Sequence, residues 1–196
     1  MRVESKFNIR KEEMFHQITE LITKYGYEKI TIRGLCKEMG ISTGTFYHYF
    51  RDKGDLLEVL FSDIDQYFAE VVAEKFTESE PDNLVYYFVS YGHYIVRNGV
   101  ETCRAISIGP LETRGKEYFS ENRSIAETLR KILTRGMEKG QFCDSLNPED
   151  TTRMLLVMMR GYSLDWAKQN GSYDIVQELE KFGKFVREPL LAPTVQ

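Results

Sequence analysis

Apolar residues recur at intervals of three and four along almost the whole chain, the spacing that gathers them on one face of an α-helix. Met14, Ile18, Leu21, Ile22 and Tyr25 line one face of a first helix, and Gly26 supplies a left-handed stop. Thr31 caps a short second helix that carries Leu35 and Met39 inward and stops at Gly40. Ser42 caps a third, in which Phe46 and Phe50 point inward. Asp52 caps a fourth, with Asp55 three residues on as a weaker form of the capping box. Leu57, Leu60, Phe61, Ile64, Phe68, Val71 and Val72 give it a long stripe. Unbroken to about Phe76, such a helix is roughly 36 Å long. Further helices are expected at about 82–98, 101–108, 117–138, 148–169 and 173–188. The helix from 148 starts with Asn147 as N-cap, Pro148 at the first position and Asp150 near the positive end. Asn170-Gly171 ends it, and Pro189 closes the last. Lys29 to Ile32 reads as β but is too short to found a sheet. The expectation is an all-α chain of about nine helices.

The 196 residues suit one large helical domain or a small one joined to a larger. A hydrophobic fraction of 42% and a charged fraction of 29% are ordinary for a globular protein. The net charge of -4 argues against a nucleic-acid binder when read globally, but the charge is uneven. Residues 1–57 hold 10 Lys/Arg and 8 Asp/Glu, and the rest hold 16 and 22. A mildly basic head on an acidic body is expected where one end alone meets phosphate. The polar start, the absence of an apolar run of about 20 residues and three scattered cysteines (Cys36, Cys103, Cys143) lead to a cytoplasmic expectation. Cys103, Cys143 and His93 have no spacing that pairs them for metal or redox work. With three histidines (His16, His48, His93) and no Gly-rich phosphate loop or nucleophile elbow, neither an enzyme nor a cofactor is expected.

Residues 30–57 carry the most information. Two short helices are joined by a tight turn at Gly40-Ile41-Ser42, where glycine tolerates left-handed backbone and Ile41 plugs the angle between the helices. The small residues Ser42, Thr43, Gly44 and Thr45 let the start of the second of these approach DNA closely. Phe46 and Phe50 face the core, leaving Tyr47, His48 and Tyr49 to reach outward. This stretch closely resembles the signature of the TetR/AcrR family of transcriptional regulators. The matching elements are Thr31-Ile32-Arg33, Gly40-Ile41-Ser42, Gly44-Thr45-Phe46-Tyr47, Tyr49-Phe50 and Lys53-Gly54-Asp55-Leu56, with Cys36 standing where members often carry a small alanine. The resemblance implies a helix-turn-helix DNA-binding domain at 1–54 and a helical effector-binding and dimerisation domain at 55–196. It also implies that Thr43, Gly44, Thr45, Tyr47 and His48 face the major groove. Tyr47, Tyr49 and Lys53 would hold phosphates, and Thr31 and Arg33 would touch the DNA backbone. Read from the residues alone, Tyr47 packing between helices and His48 as a solvated side chain remain open.

In the body, Tyr87, Tyr91 and Tyr94 share one helix face, and buried tyrosines need a partner for each hydroxyl. Tyr67, Tyr87, Tyr91, Tyr94, Met158 and Tyr162 are the expected lining of an effector pocket, since aromatic and sulfur-bearing walls suit a flat or greasy ligand. Asp63 and Glu70 leave a cationic one open. The ordinary alternative is that this stripe is plain core. The resemblance implies a homodimer through the last two helices, with Leu155, Tyr162, Trp166, Ile175, Leu179, Phe182 and Val186 supplying the surface. A head of this size reads half an operator, which also calls for a dimer. The implied function is a repressor released from a palindromic DNA operator by a small effector. The alternative is a DNA-binding protein with a filled body, controlled by a protein partner.

Overall fold

The computed structural model describes residues 2–112, 120 and 122–192, the side chains of 2–12 and 108–112 excepted. Among them are eight helical elements: α1 (Arg2–Tyr25), α2 (Ile32–Glu38), α3 (Thr43–Tyr49), α4 (Asp55–Gln66), α5 (Glu80–Glu112), α6 (Ser124–Glu138), α7 (Pro148–Lys168) and α8 (Ile175–Arg187). The all-α expectation holds, with a single isolated antiparallel bridge between Phe142 and Leu191 among the described residues. The helices expected at 82–98 and 101–108 are two helices that meet at Gly99, where φ 80°, ψ 171° breaks the helical backbone; the label α5 covers both. Positions 117–119 and 121 of the expected 117–138 helix lie outside the described residues.

Local chemistry explains the boundaries. Gly26 at φ 80° ends α1, its N–H bonding Ile22 O at 2.8 Å. Thr31, Ser42, Asn147 and Asp174 cap α2, α3, α7 and α8, each side chain accepting a backbone N–H three residues on. At α4 the cap is shared. Asp52 accepts the N–H groups of Gly54 (2.7 Å) and Asp55 (3.3 Å), while Asp55 reaches back to the Arg51 N–H at 2.6 Å. The reciprocal bond of the box therefore falls on Arg51, one residue before its expected place.

The long fourth helix is not uniform. After Gln66 the backbone widens into a π-turn over Tyr67–Val72, the Ala73 N–H bonding Phe68 O, and then tightens to 3-10 over Ala73–Lys75. Phe68 and Val72 stay fully buried through the change.

The core runs from α1 through α4 into the body without a break. α5 is its axis, packed on α1, α4, α6, α7 and α8. α5 and α8 approach so closely that a Cβ at Gly92 would sit 3.0 Å from Val176 Cα, and one at Gly183 would sit 3.2 Å from Val85 Cα. Head and body meet along α4, and α1 joins them as well. Thr23 and Thr102 share a hydroxyl hydrogen bond at 2.8 Å, and Thr23 also donates to Asn98 O at 3.4 Å. α6 is tied to α4 by Asp65, which accepts Arg123 Nε at 2.9 Å and the Ile125 N–H at 3.1 Å. Asp65 thus satisfies an orphan donor at the start of α6 from another helix.

Candidate nucleic-acid interface and helical body

α2 and α3 are held at their angle by Leu35, Cys36, Phe46 and Phe50, all buried, with the Phe46 and Phe50 rings 5.1 Å apart. Gly40 makes the turn at φ 65°. With Phe46 inward, Thr43, Gly44, Tyr47 and His48 share the exposed face of α3 at i, i+1, i+4 and i+5. Thr45 is half-buried, its N–H bonded to Ser42 Oγ at 3.0 Å and its hydroxyl at 2.9 Å from the same oxygen. Ser42, Thr31 and Arg33 are exposed, while Tyr49 is half-buried beside His48, ring centroids 5.1 Å apart. Tyr47 is 56% exposed, so its ring stands outward, edge-on to Phe46.

Lys53 is half-buried, with its ammonium on Glu28 O at 3.1 Å and 4.5 Å from the Tyr27 ring centroid. The Tyr27 hydroxyl returns a bond to Lys53 O at 3.2 Å. This fixes Lys53 between the α1–α2 connection and the start of α4, where it adds positive charge to the helix N-terminus. The arrangement can present an exposed polar helix face with cationic support to an anionic polymer.

The body places the six expected lining residues in two groups. Tyr87, Tyr91 and Tyr94 are buried in the packed interior, and each hydroxyl is satisfied there. Tyr87 donates to Ile125 O at 2.8 Å, Tyr91 to Ser163 Oγ at 3.1 Å and Tyr94 to Asp63 Oδ2 at 2.7 Å. Burial pushes the phenols of Tyr87 and Tyr94 well above their ordinary range. Tyr67 packs on Tyr94 with centroids 5.4 Å apart, and Arg97 lies 5.6 Å and 5.7 Å from those two rings. Met158 and Tyr162 lie elsewhere, in a surface groove between α7 and α8 shared with Gly161, Phe182 and Phe185. Periodicity alone cannot tell a tyrosine bonded to its own protein from one facing a ligand.

The expected dimer stripe needs a comparable correction. Leu155, Trp166, Ile175, Leu179, Phe182 and Val186 are buried within the single chain. Trp166 Nε1 donates to Tyr173 O at 2.9 Å, and Phe182 packs on Phe88 and Tyr162. An amphipathic helix spends its strongest stripe on its own core first. What α7 and α8 leave exposed is Met154, Val157, Met158 and Phe185, the last 76% exposed. Gly161 has open space beside it.

Two cavities escaped the sequence reading. One, about 800 Å³, opens between α1, α4 and α5 at the junction of head and body, with His16, Glu20, Asp63 and Arg97 on its walls. The other, about 230 Å³, lies between α6 and α7 and gathers Arg130, Arg153 and Arg160. Arg153 and Arg160 stand seven apart, two helical turns, a spacing present in the sequence but hidden behind the apolar stripe. Burial pushes the Cys103 thiol up to about 12, which keeps it protonated and a poor nucleophile. No helix among the described residues is long and apolar enough to cross a membrane.

Residues 11–60 match the family model described as bacterial regulatory proteins, tetR family. The chain is similar to the fatty acid metabolism regulator protein of Bacillus subtilis (strain 168), 24% identical over 161 residues, which span 80% of this chain and 83% of that protein. It is 34% identical to the HTH-type transcriptional regulator BetI of Escherichia coli over 68 residues, 35% of each chain. In three dimensions it resembles the transcriptional regulator FadR from Bacillus subtilis, solved in complex with stearoyl-CoA. The TM-score is 0.74 at 17% identity, covering 92% of this chain and 99% of that one. The fatty acid degradation regulator FadR from Bacillus halodurans gives 0.71 at 18% identity, covering 88% and 93%.

Proposed function

We propose that this chain, whose residues 11–60 match the tetR family model, is a dimeric TetR-family repressor released from a palindromic operator by a long-chain acyl-CoA. The observation that carries the effector class is the reach of the likeness. Similarity to the fatty acid metabolism regulator covers 83% of that protein and includes the body, whereas similarity to BetI spans 35% of it. The effector domain is where ligand classes diverge, so a match that extends through it bears on the ligand.

In this reading α3 enters the major groove with Thr43, Gly44, Tyr47 and His48. Ser42 and Thr45 sit at its start, and Thr31, Arg33, Tyr49 and Lys53 hold the backbone. The dimer seam is the apolar face left exposed on α7 and α8: Met154, Met158 and Phe185, with Gly161 allowing close approach. The conformation with a filled aromatic layer is the DNA-competent one. An acyl chain entering beside Tyr87, Tyr91 and Tyr94 parts α5 from α4 and α7. Because α1 and α4 both rest on α5, the heads then move. Two heads must stand about 34–36 Å apart to read successive grooves, so a ligand that prefers another spacing lowers DNA affinity by its differential affinity for the two states.

The fully satisfied tyrosine hydroxyls favour a second reading, a filled body controlled by a protein partner. One experiment separates the two. Duplexes enriched from a random pool should carry an inverted repeat and shift as a complex with two chains, and stearoyl-CoA should dissolve that complex at micromolar concentration. Enrichment of an inverted repeat that stearoyl-CoA leaves bound supports the partner-controlled reading. No enriched sequence at all overturns the DNA-binding mechanism.

A further inference from the structure

The cavity between α6 and α7 is unlike the rest of the acidic body. Three arginines converge on it, Arg130 from α6 and Arg153 and Arg160 from α7, against one lining carboxylate, Glu149. Its floor includes the buried side chains of Ala126 and Leu156. All three arginines also have interactions within the protein, Arg153 with Asp150 at 3.0 Å, so it is their convergence that matters. A second observation is independent of the charge. Thr152 lines the same cavity and is 5% exposed, yet its hydroxyl is buried without a hydrogen-bond partner among the described residues. Buried hydroxyls are rarely left so, and one at the edge of a basic cavity is placed to donate to an anion.

We propose that this cavity binds phosphate groups and, on the acyl-CoA reading above, on which the identity of its natural ligand rests, holds the phosphates of the effector. Guanidinium groups grip phosphate through paired N–H bonds, and three of them suit a multiply charged group better than a single fatty carboxylate. The volume of about 230 Å³ lies below the roughly 300 Å³ at which whole drug-sized ligands begin to fit, so it suits a headgroup whose tail lies elsewhere. The aromatic layer is close by. Tyr87 donates to Ile125 O, next to Ala126 of the cavity wall, and Ser163, which bonds Tyr91, donates to Arg160 O at 2.9 Å. A phosphate seated here therefore places an attached chain beside the helices that carry Tyr87 and Ser163.

Isothermal titration of the full-length protein with stearoyl-CoA, coenzyme A, inorganic pyrophosphate and stearate tests this. Arg160→Gln and Arg130→Gln should each weaken coenzyme A and stearoyl-CoA by about 10- to 100-fold, the range of one charge-assisted hydrogen bond. Stearate binding should be unchanged. Thr152→Val removes the unpartnered hydroxyl while keeping the shape. It should weaken coenzyme A several-fold yet melt at the same or a higher temperature without ligand. It also serves, with the exposed Arg153→Gln, if the other arginine variants fail to fold. Stearoyl-CoA bound equally by wild type and all four variants overturns the phosphate site and leaves the acyl-CoA reading standing. Arg160-dependent binding of coenzyme A or pyrophosphate, with no release of DNA by stearoyl-CoA, keeps the site and removes that reading. Failure of every phosphate compound to bind the wild type overturns the site.

Discussion

Tyr94→Phe removes one oxygen atom from a ring that is 1% exposed, and with it the bond that ties α5 to α4. The hydroxyl lies 2.7 Å from Asp63 Oδ2, so the lost bond is to a carboxylate. Bonds to charged groups contribute about 1.5–3 kcal/mol to stability. Asp63 is half-buried, so water restores part of its solvation and the lower half of that range applies. A loss of about 1.5–2 kcal/mol lowers the melting temperature of a chain this size by roughly 3–8 °C. Tyr87→Phe, which loses a neutral bond to Ile125 O, should cost less, about 0.5–1.5 kcal/mol. Urea unfolding of Tyr94→Phe, Asp63→Asn and the double variant isolates the pair, and the coupling should exceed about 1 kcal/mol. If this tie also sets the pose of α4, Tyr94→Phe weakens operator binding beyond its effect on the folded fraction. A coupling within the roughly 0.5 kcal/mol of ordinary additivity refutes the reasoning.

Lys53→Ala should weaken binding to all DNA sequences alike and flatten the dependence of log K on log salt by about 1, which anisotropy titrations at several salt concentrations would read. Phe185→Glu or Met158→Glu should turn a dimer of about twice the 22.9 kDa chain into a monomer in sedimentation equilibrium, with little change in helicity. For Asp55, burial raises the pKa, but the N–H and guanidinium of Arg51 outweigh it, so the folded value lies below the ordinary 3.8. Its contribution is therefore present above about pH 4 and lost as pH falls through the lower, folded value. Asp55→Asn should be less stable than wild type by about 0.5–2 kcal/mol at pH 7, and urea midpoints near pH 3 should show the gap narrowing.

The head was legible because its determinants are local. The Gly40 turn, the Ser42 cap and the inward Phe46 and Phe50 follow from residues within ten positions of one another. The break expected between the helices at 82–98 and 101–108 falls at Gly99, where the backbone leaves the helical region. The body was legible in its helices and not in its partners. Periodicity identified Leu155, Ile175 and Leu179 as a buried face but not which surface buries them, and the answer is their own chain. The π-turn at Tyr67–Val72 has no Pro or Gly to announce it. The contact of Thr23 with Thr102 joins positions 79 apart that share no local pattern. The arginine cavity depends on two helices meeting, which no single-helix wheel displays.

Ligand and DNA binding to opposed states of one dimer must be reciprocal, and that reciprocity is the most direct measurement of the central claim. Stearoyl-CoA affinity would be measured by titration calorimetry on the free dimer and on the dimer saturated with its selected inverted-repeat duplex, at one salt concentration. The account predicts that the duplex weakens stearoyl-CoA at least about tenfold, and that stearoyl-CoA weakens the duplex by the same factor. Equal stearoyl-CoA affinity with and without DNA would contradict it, since such a ligand shifts no equilibrium however tightly it binds.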